Sequence, residues 1–480
     1  MSHCYLLSEI SQPGKMGCTL PALDVPPTEL PPEELLRPEL KLPEVSEVEL
    51  MRYFTALSKL NYGVDTGFYP LGSCTMKYNP KWHEDIAKLP GFASIHPLQP
   101  EESIQGALQL MFELQEYLAE ITGMNATSLV PIAGAHGEFT GLLLVKAYHQ
   151  DRGDKARKKI LLTDSSHGTN PASAVMCGFE IGVVASDSEG NVDMNSLESA
   201  MNEEVAALTL TMPTTLGLFD PKILEISQLV HERGGLLGAD GANLNAFLGR
   251  VKFGDLGYDY VQLNLHKTFS APHGGGGPGS GPVCVKEGLV DFLPSPLVIK
   301  NDGRYKFVSP TKSIGRIANF YGNFGVICKA YAYIRSLGAA GLKEVSENAV
   351  LNANYLKERL KPYYYLPYDR TCMHEVVFSG RRQKAKGVRT VDIAKRLLDY
   401  GLHPPTVYFP LIVDEAMMIE PTETESRQTL NAFIEAMKEI ARDVEENPEI
   451  LHTAPHNTPV RRLDDVRAAR NPDLRWQMRD

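Results

Sequence analysis

"VAALTLTMPTTLGLFDPKILEISQLVHERGGLLGAD", residues 205–240, is the stretch of sequence that decides the fold. It opens with an apolar run of strand length and continues with apolar residues at helical spacing over 221–234. A second apolar run closes it at 235–240. A strand, a helix and a strand in this order predict a crossover between two parallel strands. Such strands belong to a sheet that carries helices on both faces.

The same alternation continues on both sides of this stretch. Further strands are predicted at 127–132, 158–163, 180–186 and 260–266, with helices at 102–123, 137–150, 170–179 and 195–202. Beyond residue 320, a long helical run and shorter mixed segments predict a smaller α+β domain. We therefore predict four parts: an N-terminal arm with a lead-in helix capped by Ser46 (1–60), a large α/β domain (61–320), a small C-terminal domain (321–450) and a C-terminal extension (451–480).

Composition limits the class of protein. The chain has 480 residues, 43% of them hydrophobic and 22% charged, which is typical of a globular enzyme with two or three domains. A net charge of −11 argues against nucleic acid or an anionic membrane as a partner. The sequence shows neither a membrane-spanning apolar run nor a secretory signal, and its seven cysteines form no CxxC pair. We therefore expect a cytoplasmic protein without a structural metal.

Two of the predicted strand ends carry groups that suit a cofactor. Lys267 follows the strand at 260–266, where open α/β sheets bind their ligands, and a buried amine can attack a carbonyl. The alternative is a surface lysine beside the flexible glycines 274–277. The turn Gly134–Ala135–His136–Gly137 opens a helix, and free N–H groups there suit a phosphate. The alternative is a plain tight turn.

Two further strand ends carry His167 and Asp240. His167 can lie against a flat ring or act as an acid or base, whereas the alternative is a turn or surface histidine. Asp240 ends an apolar strand and needs a cationic or hydrogen-bonding partner, and the alternative is a cap on the next helix. A phosphate site, a flat side chain, a carboxylate and an amine are what pyridoxal phosphate requires. Asn243 is placed to reach the ring hydroxyl of that cofactor.

Longer motifs carry a resemblance to a known family. The strings YPLGSCTMKYNP (69–80), AGAHGE (133–138), HGTNPASA (167–174), NLHKTFSAPHGGGGPG (264–279), FYGNFGV (320–326), CMHEVVFS (372–379) and PPTVYFPLIVDEAMMIEPTETES (404–426) resemble the P-protein of the glycine cleavage system. The resemblance spans roughly residues 45–435. Because the chain carries the lysine motif at about half the length of the one-chain form, it looks like the second subunit of the two-subunit form.

The resemblance implies a fold, a cofactor and a reaction. It implies a fold-type I pyridoxal-phosphate enzyme with a mainly parallel seven-stranded sheet, in which glycine is decarboxylated and its aminomethyl group passes to the lipoyl arm of the H-protein. Catalytic roles fall on Lys267, His167 and Asp240. The implied cofactor contacts are Gly134, Ala135, His136, Glu138, His167, Thr214, Asp240, Ala242, Asn243, His266 and Lys267. The implied partner is a homologous lysine-free subunit, two copies of each chain assembling together.

One stretch departs from the family pattern. The family reads TNPNTLG where this chain reads TMPTTLG (211–217), so that Met212 and Thr214 replace two asparagines. A contact to the ring hydroxyl is in question there, and Thr214 offers a weaker substitute. Arg316 is a candidate for holding the glycine carboxylate. The glycines 274–277 are expected to keep the backbone thin where the cofactor and a partner subunit press close.

Alternatives remain for the function and for the arm. Another fold-type I decarboxylase or transaminase would act without a lipoyl partner, and a non-catalytic scaffold half would lack Lys267. The proline-rich residues 20–47 are either a disordered tail or an arm lying on a partner subunit, and the recurring Leu and Val favour the arm. The basic end of the chain is interpreted as a solvated extension, with partner docking as its alternative.

Overall fold

A computed structural model describes residues 5–38, 40, 42–277 and 279–475. The helices are α1 Glu47–Ser58, α2 Trp82–Ala87, α3 Pro90–Ala93, α4 Gln105–Thr122, α5 Gly134–Asp151, α6 Thr169–Met176, α7 Met194–Ala200, α8 Ile223–Glu232, α9 Phe324–Leu360, α10 Arg381–Lys384, α11 Thr390–Asp399, α12 Arg427–Glu446, α13 Glu449–Thr453 and α14 Asp465–Arg470. The strands are β1 Ala126–Ser128, β2 Lys159–Thr163, β3 Glu180–Val184, β4 Val205–Thr211, β5 Leu236–Asp240, β6 Tyr260–Gln262, β7 Val283–Val285, β8 Leu297–Asn301, β9 Arg304–Val308, β10 Val376–Ser379, β11 Thr406–Val407 and β12 Ala416–Ile419.

Seven strands form the main sheet in the order β1-β7-β6-β5-β4-β2-β3. β7 pairs antiparallel with β1 and β6, and all other neighbours pair in parallel. The predicted mainly parallel seven-stranded α/β sheet is therefore confirmed. The sequence pattern predicted six of these strands and missed β7. This strand has only three residues, which are too few to show the two-residue alternation of a strand.

Alternate residues of the strands point to two separate apolar layers. Leu161 of β2 packs with helices α4 and α8, whereas its neighbours Ile160 and Leu162 pack with α5 and α6. This is the two-residue period of a strand whose two faces are both covered. The central strands are therefore covered on both faces, whereas the edge strand β3 leaves Val183 63% exposed. Polar groups that bind a ligand are expected where the central strands end.

Two predicted strands are shorter than expected, and this moves the key lysine. β6 ends at Gln262 instead of residue 266, because Lys267 N–H donates to Asn264 O and closes a turn. Lys267 therefore lies in the turn after the strand, and the prediction that it directly follows the strand is wrong by four residues. β1 likewise ends at Ser128, and helix α5 begins at Gly134.

The C-terminal part has its own core around an antiparallel sheet of order β10-β12-β11. Leu430, Phe433 and Met437 of α12 pack on this sheet together with the second half of α9. Phe68 belongs to the same core, so the residues that follow it are attached to the small sheet. Gly338, with φ +60°, interrupts α9.

The described residues 5–38, 40 and 42–45 are irregular apart from a short 3₁₀ turn at Glu33–Leu35. Helix α1 follows; Ser46 caps it as predicted and forms a capping box with Glu49. Helix α1 buries none of its own residues, so both it and the arm face outward. In the described parts of the chain, no helix has the length and apolar character that crossing a membrane requires.

Candidate active site

Lys267 lies beneath the segment 69–80, which we call the strap. Its Nζ donates a hydrogen bond to the backbone oxygen of Ser73 at 2.8 Å, and the side chain is half-buried. Ser73 and Thr75 have φ values of +65° and +49°, which are uncommon for residues with a side chain. The amine is therefore held between the turn after β6 and a strap with a constrained backbone.

Asp240 ends β5 in a buried position, with 3% of its surface exposed. Its Oδ1 accepts hydrogen bonds from Ala242 N at 3.0 Å and Gln262 Nε2 at 2.5 Å, and its Oδ2 accepts one from Asn170 Nδ2 at 3.2 Å. Asp240 thus does cap the 3₁₀ turn Gly241–Ala246, as the alternative interpretation predicted. A carboxylate can accept about four hydrogen bonds, so Oδ2 retains capacity for one more donor.

The start of α5 has the geometry of an anion site. No side chain in the described ranges caps this helix, so the N–H groups of its first turn have no side-chain acceptor. Gly134 and Gly281 permit neighbouring segments to press against it. A Cβ on Gly134 would lie 2.2 Å from Asn264 Nδ2, and one on Gly281 would lie 1.9 Å from Ala133 O. The dipole of an 18-residue helix adds positive potential at the same point.

Thr169 links two of the predicted site residues. Its hydroxyl donates to Glu138 Oε1 at 2.9 Å and lies 2.8 Å from His167 Nδ1. Burial, followed by repulsion from Asp240, raises the pKa of Glu138 to about 8. Partial desolvation in the cleft lowers the pKa of His167, although the ring is open to solvent, and Asp240 opposes that shift. Both shifts favour the uncharged forms of the two side chains.

The remaining predicted cofactor contacts lie around the same edge of the sheet. Asn243 is fully buried and donates to Pro213 O at 3.0 Å, and its Oδ1 has no hydrogen-bond partner within the described chain. Thr214 closes a turn with Leu218, and its hydroxyl oxygen accepts one hydrogen bond from Leu218 N at 3.3 Å. Burial, with the charges of His273 and Lys267, lowers the pKa of His266 to about 3. His136 accepts a hydrogen bond from Ile132 N.

Arg316 lies close to the start of α5. With His136 and Asn323 it lines an open cleft of about 1140 Å³. An arginine there provides planar donors for a carboxylate or a phosphate. Its predicted role in holding the glycine carboxylate stays a prediction.

The glycine run needs glycine for its backbone angles. Gly274, Gly275 and Gly276 have φ values of +62°, +65° and +88°. A Cβ on Gly275 or Gly276 would meet no described atom within 4 Å, so these two positions are open toward the described residues. The expected close approach of a cofactor and a partner subunit at this run stays a prediction.

Three buried residues near Lys267 were not singled out from the sequence. His374, Glu375 and Glu420 are fully buried, and their side chains form a group that could ligate a metal ion. Burial and then Glu420 raise the pKa of Glu375 well above its ordinary value, and burial raises that of Glu420 to about 7. Burial, followed by the Lys267 charge, lowers the pKa of His374 to about 3. Their motifs were recognised, but no local pattern assigned them a role.

Lys77 anchors the other end of the strap. Its buried Nζ donates to Asn245 Oδ1 at 2.8 Å, Tyr333 OH at 3.0 Å and Glu423 Oε1 at 2.8 Å. Burial opposes the charge, but the charges of Glu423 and Tyr333 outweigh it and raise the pKa of Lys77. One side chain thus joins the strap to both domains.

We expect Lys77→Met to lower the free energy of unfolding by roughly 3–5 kcal/mol, because it leaves the Glu423 carboxylate, whose side chain is only 9% exposed, without its cation. Denaturant unfolding followed by fluorescence measures the change. Lys81→Met is the matched control, since Lys81 forms an exposed pair with Asp65 and should cost under about 1 kcal/mol. Equal losses in the two variants would contradict the anchoring role of Lys77.

These groups fit pyridoxal phosphate. The glycine-lined start of α5 suits its phosphate, the buried Asp240 suits its ring nitrogen, and Lys267 suits its aldehyde. Buried polar atoms without a partner in the described residues lie on the surrounding elements, at Glu138 Oε2, Asn243 Oδ1 and Asn264 Oδ1, and these are ready for a polar ligand.

The sheet order and this site together define a pyridoxal-phosphate-dependent enzyme of fold type I. The family model described as glycine cleavage system P-protein matches residues 23–304, and that described as glycine dehydrogenase, C-terminal domain, matches residues 345–460. The chain belongs to the glycine cleavage system P-protein family.

Individual relatives agree with this assignment. A probable glycine dehydrogenase (decarboxylating) subunit 2 of Caldanaerobacter subterraneus subsp. tengcongensis is 61% identical over 477 residues, covering 98% of both chains. A protein of the same description from Bacillus velezensis is 59% identical over 477 residues, covering 98% of this chain and 97% of its own. A solved glycine decarboxylase (P-protein) of the glycine cleavage system, in inhibitor-bound form, shares the fold with a TM-score of 0.72 at 22% identity, covering 85% of this chain and 93% of its own.

Proposed function

We propose that this chain is the lysine-bearing half of a two-subunit glycine decarboxylase. It removes the carboxylate of glycine as CO₂ and passes the aminomethyl group to a lipoyl arm on a carrier protein, the H-protein. The observation that carries this proposal is the placement of Lys267, Asp240 and the glycine-lined start of α5 at one edge of the sheet, in a member of this family.

The atoms of the reaction balance without a further reactant. The bond between the glycine α-carbon and its carboxylate breaks, and CO₂ leaves. The electron pair that remains on the carbon attacks one sulfur of the lipoyl disulfide, and the sulfur–sulfur bond breaks. The second sulfur leaves as a thiolate and takes a proton. When bound, pyridoxal phosphate supplies an electron-accepting ring that stores this pair.

The residues of the chain bind, orient and hold protons. Lys267 supplies the amine that bonds to the cofactor aldehyde, and Asp240 keeps the ring nitrogen protonated. The first turn of α5 holds the phosphate through its N–H groups. His167 covers the ring, and Asn243 accepts from the ring hydroxyl through its unpartnered Oδ1. Arg316 holds the glycine carboxylate, and Thr214 replaces the family asparagine only weakly.

A partner subunit completes the assembly. We propose that a homologous, lysine-free chain pairs with this one, that two such pairs associate, and that the arm at 20–47 lies on the partner. Helix α1 and the arm expose their apolar side chains, and such strips mark binding surfaces.

The exchange of labelled bicarbonate into glycine tests the function. This chain, its lysine-free partner and a lipoylated carrier should together catalyse exchange, and omission of the carrier should reduce it to background. Turnover of an amino acid without the carrier would instead support another fold-type I decarboxylase or a transaminase.

We expect Asp240→Asn to retain the cofactor but to slow exchange about a hundredfold, a loss of ~3 kcal/mol of transition-state stabilisation. A neutral amide can still accept from Ala242 N but cannot hold the ring proton. Cofactor absorbance and exchange rate are the two measurements. Asp220→Asn is the control, because Asp220 is a fully buried aspartate of the same domain that accepts from Val192 N. Exchange close to the wild-type rate in Asp240→Asn would show that Asp240 does not act on the ring.

A further inference from the structure

Two buried glutamates of the small domain hold the strap by its backbone. Glu375 Oε2 accepts from Ser73 N at 2.7 Å. Glu420 Oε2 accepts from Thr75 N at 2.8 Å, and its Oε1 accepts from Thr75 Oγ1 at 2.6 Å. Glu375 precedes β10 and Glu420 follows β12, and the pairing of Val376 with Ile419 places the two carboxyls side by side. One edge of the small sheet therefore presents two acceptors to the strap.

The strap conformation depends on such support. Left-handed backbone angles at Ser73 and Thr75 cost on the order of 1 kcal/mol or more each, and they persist only where the surroundings impose them. With this conformation, the N–H of Ser73 points to Glu375 while its carbonyl accepts from Lys267 Nζ at 2.8 Å. The carboxyls and the lysine are thus connected through one residue.

We propose that Glu375 and Glu420 are positioning residues for Lys267. By fixing the strap they fix the carbonyl of Ser73, which receives the lysine amine whenever the amine is not bonded to the cofactor. The proposal rests on the proposed function only in that Lys267 must leave the cofactor and return to it in every turnover. A fixed acceptor nearby keeps the amine oriented, so that less motional freedom is lost on each return.

The same residues could be interpreted as a metal site. His374 Nε2 lies 3.6 Å from Glu375 Oε1 and 3.9 Å from Glu420 Oε1. However, three of the four carboxyl oxygens already accept hydrogen bonds from the strap. A metal-bound histidine usually donates its other ring N–H, whereas neither nitrogen of His374 has a hydrogen-bond partner among the described residues. The contacts therefore favour support of the strap, and metal binding becomes an outcome of the test.

Amine reactivity in the cofactor-free full chain tests the proposal without glycine, carrier or turnover. Reductive methylation by formaldehyde and borohydride, mapped to Lys267 by mass spectrometry, reports how firmly the amine is held. Glu375→Leu removes the acceptor and should speed methylation of Lys267 at least fivefold. Glu375→Gln keeps an oxygen acceptor and should stay within twofold of the wild type. A second readout is the rate at which added pyridoxal phosphate is captured, which should fall about tenfold in Glu375→Leu only.

Glu415→Leu is the matched control. Glu415 is also buried, lies next to the opposite end of β12 and accepts from Thr390 N at 2.8 Å, so its loss disturbs the small domain without touching the strap. It should leave both readouts within twofold. If Glu375→Leu does not fold, Thr75→Val removes one hydrogen bond to Glu420 from the strap side and should speed methylation at least threefold.

Two results would overturn the proposal. One is a folded Glu375→Leu chain, or a folded Thr75→Val chain where the first fails, with unchanged methylation and unchanged cofactor capture. The other is one equivalent of tightly bound metal per wild-type chain, found by elemental analysis and lost in Glu375→Gln. If the wild-type assembly fails to exchange bicarbonate into glycine but the methylation rates change as expected, the proposed function is rejected and the positioning role of the two glutamates is retained.

Discussion

Lys267→Ala is expected to abolish glycine–bicarbonate exchange, with a fall of at least about a thousandfold, or ~4 kcal/mol in activation free energy. In the proposed reaction the Lys267 amine bonds to the cofactor aldehyde and returns to it in each turnover, and in the cofactor-free chain its hydrogen-bond acceptor is the backbone oxygen of Ser73. The wild-type protein should be yellow, and borohydride should attach the cofactor covalently to Lys267. The variant should bind the cofactor only by its phosphate and ring contacts, and it should take up no covalent label.

Lys286→Ala is a close control for this experiment. Lys286 is also half-buried, follows a strand of the same sheet and donates to a backbone carbonyl, that of Gly123, at 2.9 Å. It should keep both colour and exchange. A wild-type protein that remains colourless with added pyridoxal phosphate, or label attached to another lysine, would contradict the role of Lys267.

Much of the fold and of this candidate site could be predicted from the sequence, because the patterns that indicate them involve residues close together in the chain. The alternation over residues 205–240 predicts β4, α8 and β5 closely, since apolar period and length are properties of neighbouring residues. Asp240 and the turn at Gly134 were found for the same reason. Each lies at the junction of two elements, and junctions at one edge of a parallel sheet come together whatever their separation in sequence.

The parts that escaped prediction depend on distant pairs. Ser73 and Glu375 are 302 positions apart, and Thr75 and Glu420 are 345 apart, so no local period could connect them. Fully buried glutamates next to short apolar strands also resemble ordinary strand ends, because their partners are backbone N–H groups that have no sequence signature. The turn that places Lys267 beyond β6 is closed by the Lys267 N–H and Asn264 O, and Leu263 and Leu265 just before it donate to Pro282 and Ser280 of the returning chain. That pairing with the returning chain is again a tertiary effect.

Removal of the arm is expected to weaken assembly with the partner subunit strongly. Its leucines are mostly exposed in this chain, with 80% exposure at Leu20, 79% at Leu23, 77% at Leu30, 73% at Leu35 and 72% at Leu42. Burying one such side chain fully is worth about 1.5–3 kcal/mol, and part of this gain is lost in ordering the arm. Deleting residues 1–44 should therefore weaken binding to the lysine-free partner at least a hundredfold, or ~3 kcal/mol.

The truncated chain should keep its fold and its colour, because the deletion ends before the buried Val45 and leaves the capping box of α1 intact. Analytical ultracentrifugation with the partner subunit measures the association, and exchange at low protein concentration should fall in parallel. Replacing the five leucines by serine in the full-length arm controls for length, and it should have most of the effect of the deletion. Full exchange by this chain with the carrier alone would reject the two-subunit assembly, while the chemistry at Lys267 would stand. Unchanged association of the truncated chain would instead move the interface to another surface.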